Sequence, residues 1–311
     1  MKIIFFGSDD FAATHLEKLI PSPYEVMACI TQPDRPKNRG MKVIMSSIKI
    51  LAQENNIPVF QPDNIKCTEF IEQLNQLQAD LFVVIAYGRI LPAEVLDIPK
   101  LYAINVHGSL LPKYRGAAPI NWAMINGDTE TGLTIIQMNT GMDSGNILAA
   151  KKIAILPEDN SAILRIRMMQ EGAKFLLETI DNIVGVPLAG VQQDKSQITY
   201  APKLNKKLGY IDWHKSAEEI HNLVRGLQPW PGAYIFYKDK QLKIFSTAII
   251  PHDDHSAKLG EVIEINKQGF VVVAGKNVLL VKDVQLSGSK RMDAASFVRG
   301  HQLEVGFQFR I

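Results

Sequence analysis

Three side chains suited to moving protons and holding developing negative charge fall within one stretch, Asn105 to Gly145, NVHGSLLPKYRGAAPINWAMINGDTETGLTIIQMNTGMDSG. Asn105 and His107 stand two apart at the end of an apolar run, so on a strand they leave by the same face. Asp143 lies in the turn TGMDSG, after a β-branched run from Thr131 to Met138. A carboxylate bonded to one imidazole nitrogen fixes the tautomer and favours the charged ring. The other nitrogen then donates to an oxyanion, and the Asn amide is a second donor of the same kind. No serine or cysteine with an activating partner stands beside them, so the set fits direct attack of an external amine on an acyl donor. A plainer account fits the same spacing: Asn105 ends a strand, His107 fills a half-buried position and Asp143 caps a turn. Spacing alone favours the plainer account, because single histidines and aspartates are common.

The elements that must carry these groups read as an α/β domain. Lys2 to Phe6 is an apolar first strand, followed by the turn GSDDF and a helix through Ile20 capped by Asp9 or Asp10. A strand from Tyr24 to Thr31, a helix from Ser46 to Asn55, a short strand at Ile57–Phe60 and a helix from Asp63 to Gln76 follow. Leu81 to Ala86 is wholly apolar, as a central parallel strand should be. Leu101 to Val106 is the strand that ends in the catalytic candidates, and a helix is expected from Ala118 to Ile125. One or two strands from Asn146 to Leu156 then precede a long helix, Ser161 to about Ile183. Alternating strands and helices predict a Rossmann-like, doubly wound, mostly parallel sheet, with its chemistry at the carboxyl ends of the strands.

Beyond Gly185 the pattern loosens, and near Lys206 it changes. One short amphipathic helix is followed by strands at 233–237, 241–248, 260–266, 269–274 and 278–285. Five short strands with basic turns predict an OB-like antiparallel β-barrel, a common nucleic-acid platform. A β-domain serving only stability or dimerisation fits the composition equally well. The division expected is therefore 1–189 for the first domain, 190–205 for a linker and 206–311 for the second domain.

Whole-chain properties exclude several classes. The 311 residues carry a formal charge of +2, so there is no global polycation. Residues 206–311 hold 15 Lys/Arg against 11 Asp/Glu, whereas the rest holds 19 against 21, so the C-terminal third is mildly basic. Cys29 and Cys67 have neither disulfide nor metal-ligand spacing, which points to a reducing compartment and leaves no metal expected. No stretch approaches a membrane span and the N-terminal apolar run is too short for a signal peptide, so the expected location is the cytoplasm.

The segment NVHGSLLPKYRGAAP followed by GMDSG resembles the signature of the 10-formyltetrahydrofolate-dependent formyltransferases. In that family N-x-H-x-S-L-L-P and an aspartate about three dozen residues on form the catalytic centre, which implies catalytic roles for Asn105, His107 and Asp143. The segment AYGRILP resembles the family stretch whose backbone cradles the pterin ring of the folate. The resemblance thus implies donor-binding positions at Ile85, Ala86, Tyr87, Gly88, Arg89, Ile90 and Leu91, at Ser109, Leu110, Leu111 and Pro112, and at Asn139. Without it, residues 85–92 are simply a strand ending in a turn.

Arg35, Lys37, Arg39 and Lys42 crowd one Pro- and Gly-punctuated stretch, QPDRPKNRGMK, which excludes a helix and predicts an exposed, mobile loop. Charged loops are usually just solvated. This one resembles the insertion of the family members that act on methionyl-tRNA, where a Gly-Arg-Gly arginine grips the acceptor stem; here the motif is Asn38-Arg39-Gly40. The segments IDW and PWPG resemble the C-terminal domain of the same members. The implied reaction moves the formyl group of 10-formyltetrahydrofolate to the α-amino group of initiator Met-tRNA, with Arg35, Lys37, Arg39 and Lys42 on the tRNA, the protein being a monomer. The alternative within the family is a small-molecule amine, glycinamide ribonucleotide or an amino-sugar nucleotide. Outside the enzymes, a Rossmann-like binding protein joined to an RNA-binding barrel explains the folds but leaves the three polar groups without a task.

Overall fold

The computed structural model describes residues 1–37, 42–185, 188–252 and 256–310. In chain order the first elements are β1 (Lys2–Gly7), α1 (Asp10–Leu19), β2 (Glu25–Ile30), β3 (Arg35–Lys37), β4 (Lys42–Ile44), α2 (Ser47–Glu54), β5 (Val59–Phe60) and α3 (Thr68–Gln76). Then come β6 (Leu81–Ile85), α4 (Ala93–Leu96), β7 (Tyr102–His107), β8 (Arg115–Gly116), α5 (Pro119–Ile125), β9 (Glu130–Gln137), β10 (Ile147–Ala154) and α6 (Ser161–Gly185). The caps explain several boundaries. Asp9 accepts from Ala12 N to start α1, Ser46 accepts from Lys49 N to start α2, and Asn160 accepts from both Ala162 N and Ile163 N to start α6. α3 begins later than expected, because Asn64 takes the backbone N–H of Lys66 in a local turn.

Seven strands form one sheet in the order β10-β9-β7-β6-β1-β2-β5. β2, β1, β6 and β7 pair in parallel, whereas β9 lies antiparallel to β7. The chain winds outward from β1 through β2 to β5 and then returns to lay β6 on the other side of β1. That reversal puts a topological switch point between β1 and β6, where the register matches Gly7 with Ile85. In open α/β sheets ligands bind outside the carboxyl ends of the strands at this point. β1 and β6 are buried on both faces, in keeping with their unbroken apolar sequences.

Arg35–Lys37 and Lys42–Ile44 pair as an antiparallel ribbon with Lys37 opposite Lys42, so the stretch expected to be a loop has strand backbone on both arms. Proline excludes a helix or a central strand there, but an isolated two-stranded ribbon tolerates Pro36. Arg39 lies outside the described residues.

The remaining elements are β11 (Tyr200–Ala201), α7 (Ala217–Gly226), β12 (Ala233–Tyr237), β13 (Lys240–Ile250), β14 (Val262–Asn266), β15 (Gly269–Val273), β16 (Val278–Leu286), β17 (Met292–Asp293) and α8 (Ala294–His301). All five expected strands form, in an antiparallel sheet ordered β12-β13-β16-β15-β14, with β17 added to β16. Its core gathers Trp213, Phe270, Phe297 and Phe309, all essentially inaccessible to water. α8 is not apparent from the pattern; Asp293 caps it by accepting from Ser296 N.

By contacts the chain separates into two compact units: residues 1–116, 131–153 and 166–200, and residues 117–130, 154–165 and 201–311. Within the second, α5 packs on α7, where Asn121 Nδ2 donates to Gly226 O at 2.7 Å. No helix among the described residues is long and apolar enough to cross a membrane.

One pH effect follows from this unit. His221 on α7 bonds Thr247 Oγ1 through Nδ1 at 2.8 Å, and burial, reinforced by the charges of Arg225 and Lys282, lowers its pKa to about 4. The folded ring therefore takes up its proton later than the unfolded one, whose pKa is about 6.5. Stability from this site is full above about pH 6.5 and is lost as pH falls towards about 4. Urea unfolding should show a loss of about 1 kcal/mol between pH 7 and 5, after discounting for partial exposure. His221→Gln should flatten that slope.

Candidate active site

Strand geometry delivers Asn105 and His107 together. On β7 they sit on one face at the carboxyl end, Asn105 paired with Val84 of β6 and Ile136 of β9, His107 paired with Thr134. Asn105 is partly accessible, and its side-chain amide makes no hydrogen bond among the described residues. His107 is 6% exposed. Its Nε2 lies 2.9 Å from Tyr114 O, so Nε2–H donates to that carbonyl and fixes the tautomer. Nδ1 lies 3.7 Å from Asp143 Oδ2, an ion-pair distance rather than a hydrogen bond. Hence the backbone of Tyr114 sets the ring, a task that spacing had given to the carboxylate, and Nδ1 is the nitrogen turned towards the acid.

Asp143 is held by a different set of contacts. Its φ of 49° is in the left-handed region, which Asp tolerates better than most residues. Gly116 N donates to its Oδ2 at 2.8 Å. Gln193 Nε2 donates to both Asp143 O and Gly145 O, each at 2.8 Å. Gln193 Oε1 in turn accepts from Arg115 Nε at 3.1 Å and Nη2 at 2.6 Å. The 114–116 backbone is tied to the chain near Thr199: Tyr114 N donates to Thr199 Oγ1, and Arg115 N to Thr199 O, each at 2.9 Å. One three-residue segment thus fixes the imidazole through Tyr114 and the carboxylate through Gly116. Gln193 and Thr199 fall in the stretch read as linker, and nothing in their sequence context marks them. Arg115 is a buried guanidinium on a side-chain amide.

The positions implied for donor binding separate into two kinds. Tyr87 and Leu91 are buried in the core, Tyr87 edge-on against Phe6. Ile85 closes β6 and is also buried. Ala86, Gly88 and Ile90 alternate with them and face outward, Ile90 at 74% exposure. Ala86 (φ 45°) and Gly88 (φ 79°) both take left-handed backbone, so the segment leaves β6 in a tight turn. Arg89 reaches neither kind of surface: it donates to Gln32 Oε1 and to the carbonyls of Pro62 and Asp63. What this segment offers a planar heterocycle is backbone.

The 109–112 loop is stitched to β9: Thr134 Oγ1 donates to Ser109 O at 2.7 Å and accepts from Leu111 N at 3.0 Å. Ser109 is fully buried with its hydroxyl given to Lys113 O, and Leu111 is buried, while Leu110 and Pro112 are partly accessible. Asn139 Oδ1 accepts from Gly141 N and Ser144 Oγ, bracing the turn that carries Asp143. The basic positions Arg35, Lys37 and Lys42 lie on the β3–β4 ribbon, rooted after the carboxyl end of β2 and so on the same sheet edge as Gly7 and Ile85.

The chain matches the formyl transferase family over residues 1–180 and the formyl transferase C-terminal domain over residues 203–302. It is 44% identical over 306 residues to a protein of Acetivibrio thermocellus named methionyl-tRNA formyltransferase, covering 98% of both chains. A protein of the same name from Clostridioides difficile is 45% identical over 307 residues, covering 98% of this chain and 99% of that one. Among solved structures, a sugar 3N-formyl transferase crystallised in the presence of dTDP and 5-N-formyl-THF shares the fold, with a TM-score of 0.68 at 20% identity over 93% of this chain and 99% of that one.

Proposed function

The chain belongs to the formyl transferase family, and from that premise we propose that it moves the formyl group of 10-formyltetrahydrofolate to the α-amino group of initiator Met-tRNA. Near-full-length identity to proteins named for methionyl-tRNA carries the choice of acceptor. In this reading residues 1–189 hold the chemistry, 190–205 link, and 206–311 with the β3–β4 ribbon hold tRNA. The protein works as a cytoplasmic monomer.

The neutral amine attacks the formyl carbon, and the carbonyl oxygen becomes an oxyanion. Asn105 Nδ2 donates to that oxyanion, and protonated His107 donates through Nδ1. Asp143 keeps the imidazolium paired and takes the surplus proton of the attacking amine, directly or through a water. Collapse of the intermediate breaks the bond from carbon to N10, which takes the proton held at Asp143, directly or through a water, and leaves as the neutral amine. The outward face of residues 86–90 and the 109–112 backbone receive the donor, with the Asn139 turn closing the far side. Arg35, Lys37, Arg39 and Lys42 supply phosphate contacts, which give affinity and salt dependence but no base reading.

The test is transfer from a labelled formyl donor to initiator Met-tRNA, elongator Met-tRNA and glycinamide ribonucleotide. Label should appear on initiator Met-tRNA, and its formation should weaken steeply as salt rises. Label on glycinamide ribonucleotide alone, with little salt dependence, would overturn the assignment.

A related expectation concerns Gln193. Gln193→Leu leaves Arg115 without its acceptor and frees the Asp143 loop, and misplacing a catalytic group by about 1 Å costs about 10²-fold. Steady-state kinetics should show kcat down by about that factor with KM little changed. An unaltered kcat in the folded variant would remove Gln193 from the account.

A further inference from the structure

The root of the basic ribbon and the segment after β6 share one polar side chain. Gln32 follows β2 and stands three residues before β3. Its backbone N–H donates to Ser8 Oγ at 3.2 Å, its Nε2 donates to Tyr87 O at 2.9 Å, and its Oε1 accepts from Arg89 Nε at 3.1 Å. Ser8 Oγ donates to the same Tyr87 carbonyl. The tight turn through Ala86 and Gly88 is thus held from outside by Gln32 and Ser8, and its arginine is oriented by the same amide.

The other end of the network reaches the ribbon. Gln61 Nε2 donates to Gln32 O at 2.8 Å and to Asp34 Oδ1 at 3.1 Å. Lys49 Nζ meets Asp34 Oδ2 at 2.5 Å and Gln61 Oε1 at 2.7 Å. The Lys49 ammonium holds the Asp34 carboxyl below its ordinary range. Asp34 is the residue immediately before β3. A continuous set of hydrogen bonds therefore runs from Tyr87 and Arg89 through Gln32, Gln61 and Lys49 to the residue before the ribbon. Every member is only partly exposed or buried, so water competes weakly for these bonds.

We propose that Gln32 is a positioning residue that sets the donor cradle and the root of the basic ribbon together, so that the formyl donor and tRNA each strengthen binding of the other. The proposal rests on the reading of the site as a folate-dependent tRNA formyltransferase. A folate ring on the backbone of residues 86–90 favours the arrangement in which Tyr87 O and Arg89 are bonded to Gln32, and that arrangement also orders Asp34 at the start of β3. Phosphate contacts along the ribbon favour the same arrangement from the other end. Linkage makes the two effects equal, and couplings of this kind are usually about 5- to 150-fold.

The experiment measures the affinity of Met-tRNA for the full chain with and without saturating tetrahydrofolate, which occupies the donor site without reacting. In the wild type, tetrahydrofolate should tighten Met-tRNA by at least about 5-fold. Gln32→Met keeps the length of the side chain and removes both amide contacts, and it should bring the ratio close to unity. Lys49→Met cuts the network at the ribbon end only and should also lower the ratio; it decides the matter should Gln32→Met not fold. A wild-type ratio of unity, or variants that keep the wild-type ratio, would overturn the proposal. Formylation of Met-tRNA is assayed on the same preparation: its absence removes the underlying reading, whereas formylation with uncoupled affinities removes the proposal alone.

Discussion

Asn105→Ala should lower the turnover of Met-tRNA formylation by about 10²–10³, the cost of one oxyanion donor, or about 3–4 kcal/mol. The structure makes this a clean experiment. Asn105 lies on a central strand held on both sides by β6 and β9, and among the described residues no hydrogen bond depends on its amide. Removing the amide takes away a donor and leaves the scaffold, so thermal unfolding should barely move. His107→Ala should cost as much turnover but also some stability, because the Tyr114 carbonyl then loses its donor. Single-turnover formylation beside a melting curve separates the two effects. Full turnover in folded Asn105→Ala would dismiss the oxyanion role.

Gly145→Ala should be the most damaging small substitution in the turn that carries Asp143. A Cβ there would sit 1.7 Å from Gln137 O and 2.8 Å from Gln137 C, both main chain of β9. Backbone inside a sheet cannot yield by the ångström or more required, so the turn must move instead. Overpacking of this severity costs on the order of 3 kcal/mol. The same shift displaces Asp143, two residues earlier, and loosens the Gly145 carbonyl from Gln193, with a further loss of about 10²-fold in kcat. Gly141→Ala is the internal control. Its Cβ would meet Ser144 Oγ at 2.3 Å, the end of a side chain that can rotate away at the cost of its exposed bond to Asn139, so stability and turnover should fall far less than for Gly145→Ala. Equal effects at the two glycines would contradict this account of the turn.

The two strands that frame the switch point were legible because β1 and β6 are unbroken apolar runs buried on both faces. Asn105 and His107 were legible as a pair because strand periodicity is two. Their surroundings were not. Gln193 lies 50 residues from Asp143 and 78 from Arg115, in a polar stretch where a glutamine carries no periodic or motif signal. Its meaning comes from a buried guanidinium that needs an acceptor and a left-handed turn that needs a donor, and both appear only when the chain is folded. The tautomer of His107 follows the same rule: a carbonyl seven residues away fixes it, and a backbone carbonyl has no sequence identity. Helix α5 teaches a different lesson. Sequence order sets it among the strands of the first domain, yet residues 117–130 pack with the C-terminal residues, through Asn121 on Gly226 and a close approach of Gly226 to Ile125.

The central claim is that a formyl oxygen comes to rest between the amide of Asn105 and the imidazole of His107. A crystal structure with a non-transferring analogue of 10-formyltetrahydrofolate measures this directly. The account predicts the heterocycle against the backbone of residues 86–90 and the formyl oxygen about 3 Å from Asn105 Nδ2, on the side of His107 that faces Asp143. An analogue bound with its formyl group turned away from both side chains would contradict it.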